Sequence, residues 1–171
     1  AEAMAHHGAK GTAIDLADAS LAVAKLHQLE SNLDIDYQKI SAEELAQQQA
    51  EKFDVVTCFE MLEHVPVPES IVSACVQLVK PGGLIFFSTI NRNPKAYLFA
   101  VLGAEYLLKL LPRGTHDYAK FIRPSELAGW SRATGLQLEE QIGMGYNPMT
   151  KKYFLQENLD VNYIANYRKP D

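Results

Sequence analysis

FDVVTCFEMLEHVP (residues 53–66) joins a short apolar run to an acidic turn that contains a histidine. The run FDVVTCF has the length and the β-branched and aromatic content of a buried strand in a parallel sheet. Glu60, Glu63 and His64 follow directly, and all three side chains can bind a proton or a metal ion. Ligands of open parallel sheets bind outside the carboxyl ends of the strands, so this position favours a functional site.

Predicted strands and helices alternate at short spacing around this stretch. The strands are predicted at 11–16, 35–40, 53–59 and 84–90. The helices are predicted from Asp18 onward, at 41–50 and at 68–79, and KPGG (80–83) is predicted to turn the chain into the fourth strand. This order predicts an α/β fold with a mostly parallel, Rossmann-like sheet and helices on both faces.

Two of these helices carry more detailed signals. One core-facing side is predicted for the helix after Asp18, from the spacing of Leu21, Ala24, Leu26 and Leu29. Ser41, with Glu44 three residues later, predicts a capping box at the start of the next helix.

The last third of the chain has a different pattern. A helix is predicted at 124–135 and strands at 136–142 and 151–156. No helix fits between these strands, so they are predicted to pair antiparallel. We interpret residues 1–171 as a single domain with an apolar helical insertion at about 92–118.

The composition is that of a globular domain that can bury a core without disulfide bonds. Of the 171 residues, 47% are hydrophobic and 22% are charged. Cys58 and Cys75 lie in apolar runs, which indicates reduced core residues of an intracellular protein. Residues 1–91 hold 13 acidic residues against 5 lysines, which argues against nucleic acid as a partner.

The insertion contains PKAYLFAVLGAEYLLKLLP (94–112), which is apolar on nearly every side of a helix. Its charged residues interrupt it too often for a membrane span, which needs roughly 20 mainly apolar residues. We expect a helix that lies at a membrane surface, covers a substrate or packs against the core. The basic residues near it suit an anionic surface. They are Arg92, Lys95, Lys109 and Arg113.

The motifs around the predicted strands resemble those of the class I S-adenosylmethionine-dependent methyltransferases. IDL (14–16), KPGG and LEH (62–64) carry the general resemblance. EMLEHVP, FFSTINRN, GAEY, LPRGTHD, FIRPSEL and GMGYNP, in this order, resemble the ubiquinone-biosynthesis O-methyltransferase family across essentially the whole chain. The resemblance implies the class I methyltransferase fold and methyl transfer from S-adenosylmethionine to a phenolic oxygen of a polyprenylated catechol or hydroquinone.

The sequence departs from the family pattern at its start. The family's glycine-rich loop, which cradles the methionine end of the cofactor, and the strand before it are expected upstream of Ala1. AEAMAHHG (1–8) supports this expectation, because it has the pattern of the end of a helix closed by Gly8. In the family that strand is central, between the strands predicted at 11–16 and 53–59. We expect the 171 residues alone to bind the cofactor weakly and to be inactive.

The resemblance also implies roles for individual residues. Asp15 matches the acid that holds the cofactor ribose, although it also suits a helix cap. Phe59 matches a position that contacts the cofactor after the third strand. Glu60, Glu63 and His64 match a proposed divalent-metal cluster, for which Mg²⁺ is a candidate ion.

Three interpretations of the acidic turn remain open. A divalent ion that chelates both oxygens of a catechol would lower their pKa and orient one of them for methylation. Without a metal, His64 is the predicted general base, held by a carboxylate such as that of Glu63. In the third interpretation, Glu60 and Glu63 have no catalytic or metal-binding role and only interact favourably with the dipole of the following helix.

A polyprenylated acceptor implies contact with lipid. We therefore expect a cytoplasmic enzyme bound peripherally to the inner, anionic face of the membrane, with other ubiquinone-biosynthesis proteins as further candidate partners. His116 and Asp117 are candidates for lining the acceptor pocket. The alternatives are an O-methyltransferase for a soluble phenol, a nicotinamide-dependent oxidoreductase and a non-catalytic fragment that binds a membrane or a partner.

Overall fold

The computed structural model describes residues 1–97, 117–147, 149–150 and 152–171. Contacts within the chain divide it into two compact units, Ala1–Gln48 and Gln49–Asp171. Each unit has its own sheet, of two strands in the first and five in the second. The interpretation of residues 1–171 as a single domain stays a prediction.

The first unit alternates helices and strands as predicted. Its elements are α1 (Glu2–His6), β1 (Gly11–Asp15), α2 (Asp18–Ser31), β2 (Ile35–Lys39) and α3 (Ala42–Gln48). β1 and β2 pair in parallel. Ser41 Oγ accepts the Glu44 N–H at 3.1 Å, and the Glu44 carboxylate accepts the Ser41 N–H at 3.2 Å. These reciprocal bonds confirm the predicted capping box at the start of α3.

Helix α2 does not bury the whole side that its leucine spacing predicts. Leu21 is 6% exposed, but Leu26 and Leu29 are 61% and 78% exposed. The prediction of a shared core-facing side is therefore wrong for Leu26 and Leu29. The physical reason is the width of the sheet: each strand adds about 4.8 Å, so a sheet of two strands covers little more than one row of side chains.

The second unit begins with a parallel strand pair and continues with antiparallel strands. Its first elements are β3 (Phe53–Phe59), a 3₁₀ turn (Leu62–His64), α4 (Pro68–Leu78), β4 (Val79–Ile90) and the single turn α5 (Pro94–Ala96). Later elements are a 3₁₀ turn (Tyr118–Lys120), α6 (Pro124–Ala133), β5 (Gln137–Asn147), β6 (Lys152–Gln156) and β7 (Asn162–Arg168). The strand order is β3-β4-β7-β5-β6. The predicted α/β class and the antiparallel pairing of β5 with β6 are confirmed.

The sequence prediction missed strand β7. This strand lies between β4 and β5 and pairs antiparallel with both. Tyr163, Ala165 and Tyr167 alternate inward, and each is at most 1% exposed. The period-two signal is present in the sequence, but Asn162 and Asn166 lower the strand propensity of the segment. The antiparallel part of the sheet is therefore larger than predicted.

The predicted KPGG turn lies within β4 as a bulge. Residues 80–83 lie outside the regular register between β3 and β4. Gly82 has a φ of +72°, which an L-residue rarely adopts. Gly83 accepts a hydrogen bond from the Lys169 N–H at 3.0 Å, which ties the bulge to the residue that follows β7.

Several predictions lie outside the described residues. Residues 98–116 hold most of the predicted apolar helix (94–112), the motif GAEY, most of LPRGTHD and His116. Within the described ranges, no helix is both long enough and apolar enough to span a membrane.

Gly83→Ala is expected to destabilise the second unit, because its Cβ would meet Val79 Cγ2 at 2.6 Å and the Asp54 carbonyl oxygen at 2.8 Å. Overpacking of this kind costs roughly 1–3 kcal/mol. In the control Gly129→Ala, the new Cβ on α6 has nothing within 4 Å, and a gain of about 0.5–1 kcal/mol is expected. Calorimetric melting of each variant shows whether its stability falls or rises relative to the wild type. A Gly83→Ala variant that melts at or above the wild-type temperature would contradict the steric argument.

Candidate active site

The acidic turn lies at the carboxyl end of β3, beside the carboxyl end of its parallel neighbour β4. Leu62 has no exposed surface, so the 3₁₀ turn Leu62–His64 is anchored in the core. This anchor holds Glu60 and Glu63 next to two hydroxyl-bearing residues of β4.

Glu60 is held by one residue of β4 through both its backbone and its side chain. Its N–H donates to the Ser88 carbonyl oxygen at 3.0 Å and to Ser88 Oγ at 3.1 Å. Ser88 Oγ in turn donates to Glu60 Oε1 at 2.8 Å. Glu60 has a φ of +49°, in the left-handed region, which costs a residue with a side chain roughly 1–2 kcal/mol. The bonds to Ser88 stabilise this strained conformation.

Glu63 is buried beside Glu60. It is 3% exposed, and its Oε2 accepts a hydrogen bond from Thr89 Oγ1 at 2.8 Å. Its Oε1 is also buried, and no donor among the described residues reaches it. A buried carboxylate oxygen without a donor is costly, so this atom favours a nearby proton or cation.

The two carboxyl groups act on each other. Partial desolvation of the Glu60 carboxyl and, next, the charge of Glu63 raise the pKa of Glu60 to about 7, while the Ser88 hydroxyl opposes the shift. Glu60 nevertheless keeps exposed surface, whereas Glu63 is enclosed. Glu60 is therefore the carboxyl group of the pair that a ligand can reach. A carboxyl group that titrates near neutrality suits a general base.

The third predicted metal ligand, His64, is exposed. The backbone N–H of His64 donates to the Met61 carbonyl oxygen at 2.9 Å and closes the 3₁₀ turn. In the part of the chain that the structure describes, no group of three or more His, Cys, Asp or Glu side chains is placed to hold a metal ion. The structure thus brings Glu60 and Glu63 together, and the role of His64 stays a prediction.

Phe59, a predicted cofactor contact, ends β3 in the second unit. It is 52% exposed, which leaves its ring accessible to a ligand. An aromatic ring in this position offers a flat apolar surface for contact with a bound molecule.

Asp15, the other predicted cofactor residue, ends β1 in the first unit and is exposed. Its Oδ1 accepts the Ala17 N–H at 2.8 Å. The N-cap position of α2 belongs to Ala17, so Asp15 forms a turn before the helix and does not cap it. This bond orients the carboxylate at the end of the strand and is compatible with ligand binding.

Ser88 and Thr89 carry no predicted role in the sequence, although both lie in the motif FFSTINRN. Their position could have indicated a role in the site, because they end a predicted strand whose parallel neighbour leads into the acidic turn. Hydroxyl groups placed there can donate to the carboxylates.

The same motif continues into two asparagines that bind a loop of the second unit. Asn91 Nδ2 donates to the Leu159 carbonyl oxygen at 2.9 Å, and Asn93 Nδ2 donates to the Asp160 carbonyl oxygen at 2.7 Å. These bonds tie the segment after β4 to the loop before β7.

Two basic residues predicted to suit an anionic surface have partners within the protein. Arg92 forms an ion pair with Glu126, and Lys95 Nζ lies 2.7 Å from Asp160 Oδ2. Asp117, a candidate for the acceptor pocket, accepts the Ala119 N–H at 3.0 Å and caps a 3₁₀ turn.

Glu63→Gln is expected to lower the pKa of Glu60 below the present value of about 7, because the neighbouring charge disappears. Desolvation remains, so the pKa should stay above the ordinary value of 4.5. The measurement is a carbon-13 NMR titration of the Glu60 carboxyl in the presence of a chelator. An unchanged pKa would show that Glu63 carries no charge that Glu60 senses.

The same titration has a consequence for stability. Because the folded pKa of Glu60 lies above its unfolded value, the folded protein binds the proton more tightly than the unfolded chain does. This carboxyl therefore makes the protein less stable as the pH rises from about 4.5 to about 7. Glu63→Gln should reduce that loss.

Comparison with known proteins relates the chain to methyltransferases. A family model described as a methyltransferase domain matches residues 1–141. The ubiquinone biosynthesis O-methyltransferase of Pseudomonas entomophila (strain L48) is 63% identical over 163 residues, which are 95% of this chain and 70% of that protein. The protein of the same name from Pseudomonas syringae pv. tomato is 64% identical over the same shares.

Solved structures with low sequence identity share the fold. A SAM-dependent methyltransferase from Methanosarcina mazei has a TM-score of 0.72 at 16% identity, covering 99% of this chain and 86% of its own. A structure reported for the conversion of a disulfide bond into a thioacetal group during echinomycin biosynthesis has a TM-score of 0.71 at 18% identity, covering 99% of this chain and 70% of its own.

Proposed function

Since this chain belongs to the methyltransferase family that contains the ubiquinone biosynthesis O-methyltransferases, we propose that it methylates a phenolic oxygen of a polyprenylated catechol or hydroquinone. The methyl donor is S-adenosylmethionine. The observation that carries the proposal is the pair formed by exposed Glu60 and buried Glu63 at the end of β3. This pair offers a proton acceptor where a ligand can reach it.

S-adenosylmethionine, when bound, supplies an electrophilic methyl group on sulfur. Asp15 fits its ribose, because one carboxylate oxygen is engaged in a turn and the exposed carboxylate can accept hydroxyl donors. Phe59 fits an apolar contact with the cofactor through its exposed ring. We assign these roles to Asp15 and Phe59 as binding residues.

A phenol must lose its proton for its oxygen to attack the methyl group. The O–C bond forms as the S–C bond breaks, and the phenolic proton passes to a base. Glu60 is the residue that we propose as this base, because its pKa of about 7 allows it to accept a proton at neutral pH. Buried Glu63 acts through Glu60 by raising its proton affinity.

Glu60 and Glu63 also fit a divalent cation, because they are adjacent carboxylates and Glu63 Oε1 is buried without a donor. These two residues would hold the ion, which would act as a Lewis acid on the phenolic oxygens. His64 is the further candidate ligand and the alternative general base. Its exposed position leaves it within reach of solvent and ligands.

The experiment that tests this function measures transfer of a labelled methyl group from S-adenosylmethionine to a short-chain prenylated catechol by the full gene product. Asp15→Asn should keep the turn but weaken cofactor binding about 10- to 100-fold, through loss of a charged acceptor. Glu60→Gln should leave cofactor affinity close to wild type and lower kcat about 100-fold. Absence of methyl transfer to the prenylated catechol would overturn the proposal.

We also propose that the protein binds the inner membrane surface peripherally from the cytoplasm, where it can meet a prenylated acceptor and other proteins of the same biosynthesis. The support is the apolar sequence 94–112, with Lys109 and Arg113 in or beside it. Arg92 and Lys95 contribute less, because Glu126 and Asp160 already pair with them.

The gene product is expected to co-sediment with liposomes that contain anionic lipid, and salt should weaken the binding. Replacing Leu107, Leu108 and Leu111 with serine should reduce it. Lys109→Gln with Arg113→Gln should reduce it more than the matched control Arg92→Gln with Lys95→Gln. Wild-type protein that stays in the supernatant under every condition would favour a soluble phenol as the acceptor.

A further inference from the structure

We propose that Ser88 is a positioning residue for the reaction, because its hydroxyl fixes both the backbone and the carboxylate of Glu60. The inference rests on the proposed function, in which the exposed carboxylate of Glu60 meets the acceptor at the end of β3. Ser88 does not touch the reacting atoms in this assignment and acts only through Glu60.

The hydrogen bonds of Ser88 give it this role. Its Oγ accepts the Glu60 N–H at 3.1 Å and donates to Glu60 Oε1 at 2.8 Å, so one hydroxyl engages both ends of the same residue. Ser88 is 5% exposed, which limits competition from water for this hydroxyl. The bond to Oε1 therefore fixes the orientation in which the exposed Glu60 carboxylate is presented.

The backbone of Glu60 makes this support necessary. A φ of +49° places the residue in a region that its side chain disfavours. Residues held in such conformations persist when their surroundings over-determine them, and they cluster at functional sites. The orientation of the Glu60 carboxylate therefore depends on a neighbour that holds it, and Ser88 is that neighbour.

Removal of the Ser88 hydroxyl should disturb the position of the Glu60 carboxylate without disrupting the fold. In Ser88→Ala the Glu60 N–H keeps its bond to the residue 88 carbonyl oxygen, at 3.0 Å in the wild type, so the pairing of β3 with β4 persists. The Glu60 carboxylate loses its donor and gains rotational freedom. A misplacement of about 1 Å in a reacting group can cost about 100-fold in rate.

The test measures kcat, the KM for a short-chain prenylated catechol, the Kd for S-adenosylmethionine and the melting temperature in the full gene product. Ser88→Ala is expected to lower kcat about 10- to 100-fold, with cofactor affinity and melting temperature close to wild type. Ser88→Thr, which keeps the hydroxyl, should restore most of the rate. If the extra methyl group of threonine lowers the melting temperature, Ser88→Cys, which adds no methyl group, tests for partial rescue of kcat. Ser31→Ala, which removes a hydroxyl that donates to the Gln28 carbonyl oxygen at the end of α2, is the control and should retain the wild-type kcat.

A double-mutant cycle identifies the residue through which Ser88 acts. If Ser88 acts through Glu60, Ser88→Ala should have no further effect on kcat in a Glu60→Gln background. An equal loss in both backgrounds, or a Ser88→Ala enzyme with wild-type kcat, would overturn the inference and leave the proposed function standing. A Glu60→Gln enzyme with wild-type kcat would overturn the role of Glu60 and, with it, that of Ser88.

Discussion

Parallel pairing of β3 with β4 is the constraint on which the candidate site depends. The pairing ends both strands at the same edge, so the acidic turn after β3 meets the hydroxyl groups of Ser88 and Thr89 on β4. Each hydroxyl donates to one carboxylate, and the two carboxyl groups differ in exposure. Both donors are neutral hydroxyl groups, and the bond from Ser88 offsets only part of the desolvation and charge effects that raise the pKa of Glu60.

The antiparallel half of the sheet holds β4 in place from its other side. Tyr163 of β7 stands opposite Thr89, is fully buried, and donates its hydroxyl to the Ile122 carbonyl oxygen at 3.1 Å. Burial raises the pKa of Tyr163, with the nearby Tyr167 and carboxylates adding to the shift, so the phenol stays neutral. The strand that carries Ser88 and Thr89 therefore has a paired neighbour on each edge and a neutral, packed environment on its β7 side.

The sequence predicted the strands and helices up to β4 well, because period and capping signals there agree with the final packing. It failed for β7, because the asparagines of this strand lower its strand propensity although its burial alternates regularly. It also failed for the burial of Leu26 and Leu29, because the spacing of residues along a helix does not indicate the width of the sheet that the helix packs against. The acidic turn was predictable from its position after a strand. The partnership of Glu60 with Ser88 was not, because it depends on strand register and on a positive φ, which the local sequence does not encode.

The two asparagines after β4 have a consequence for sequence divergence. Asn91 and Asn93 donate to the main-chain carbonyl oxygens of Leu159 and Asp160, so these bonds recognise the path of the loop and not its side chains. Mutations at positions 159 and 160 can therefore accumulate without breaking either bond, although a change at Asp160 forfeits its pairing with Lys95. In an evolving lineage, drift should be freer at the two acceptor positions than at the two amide donors.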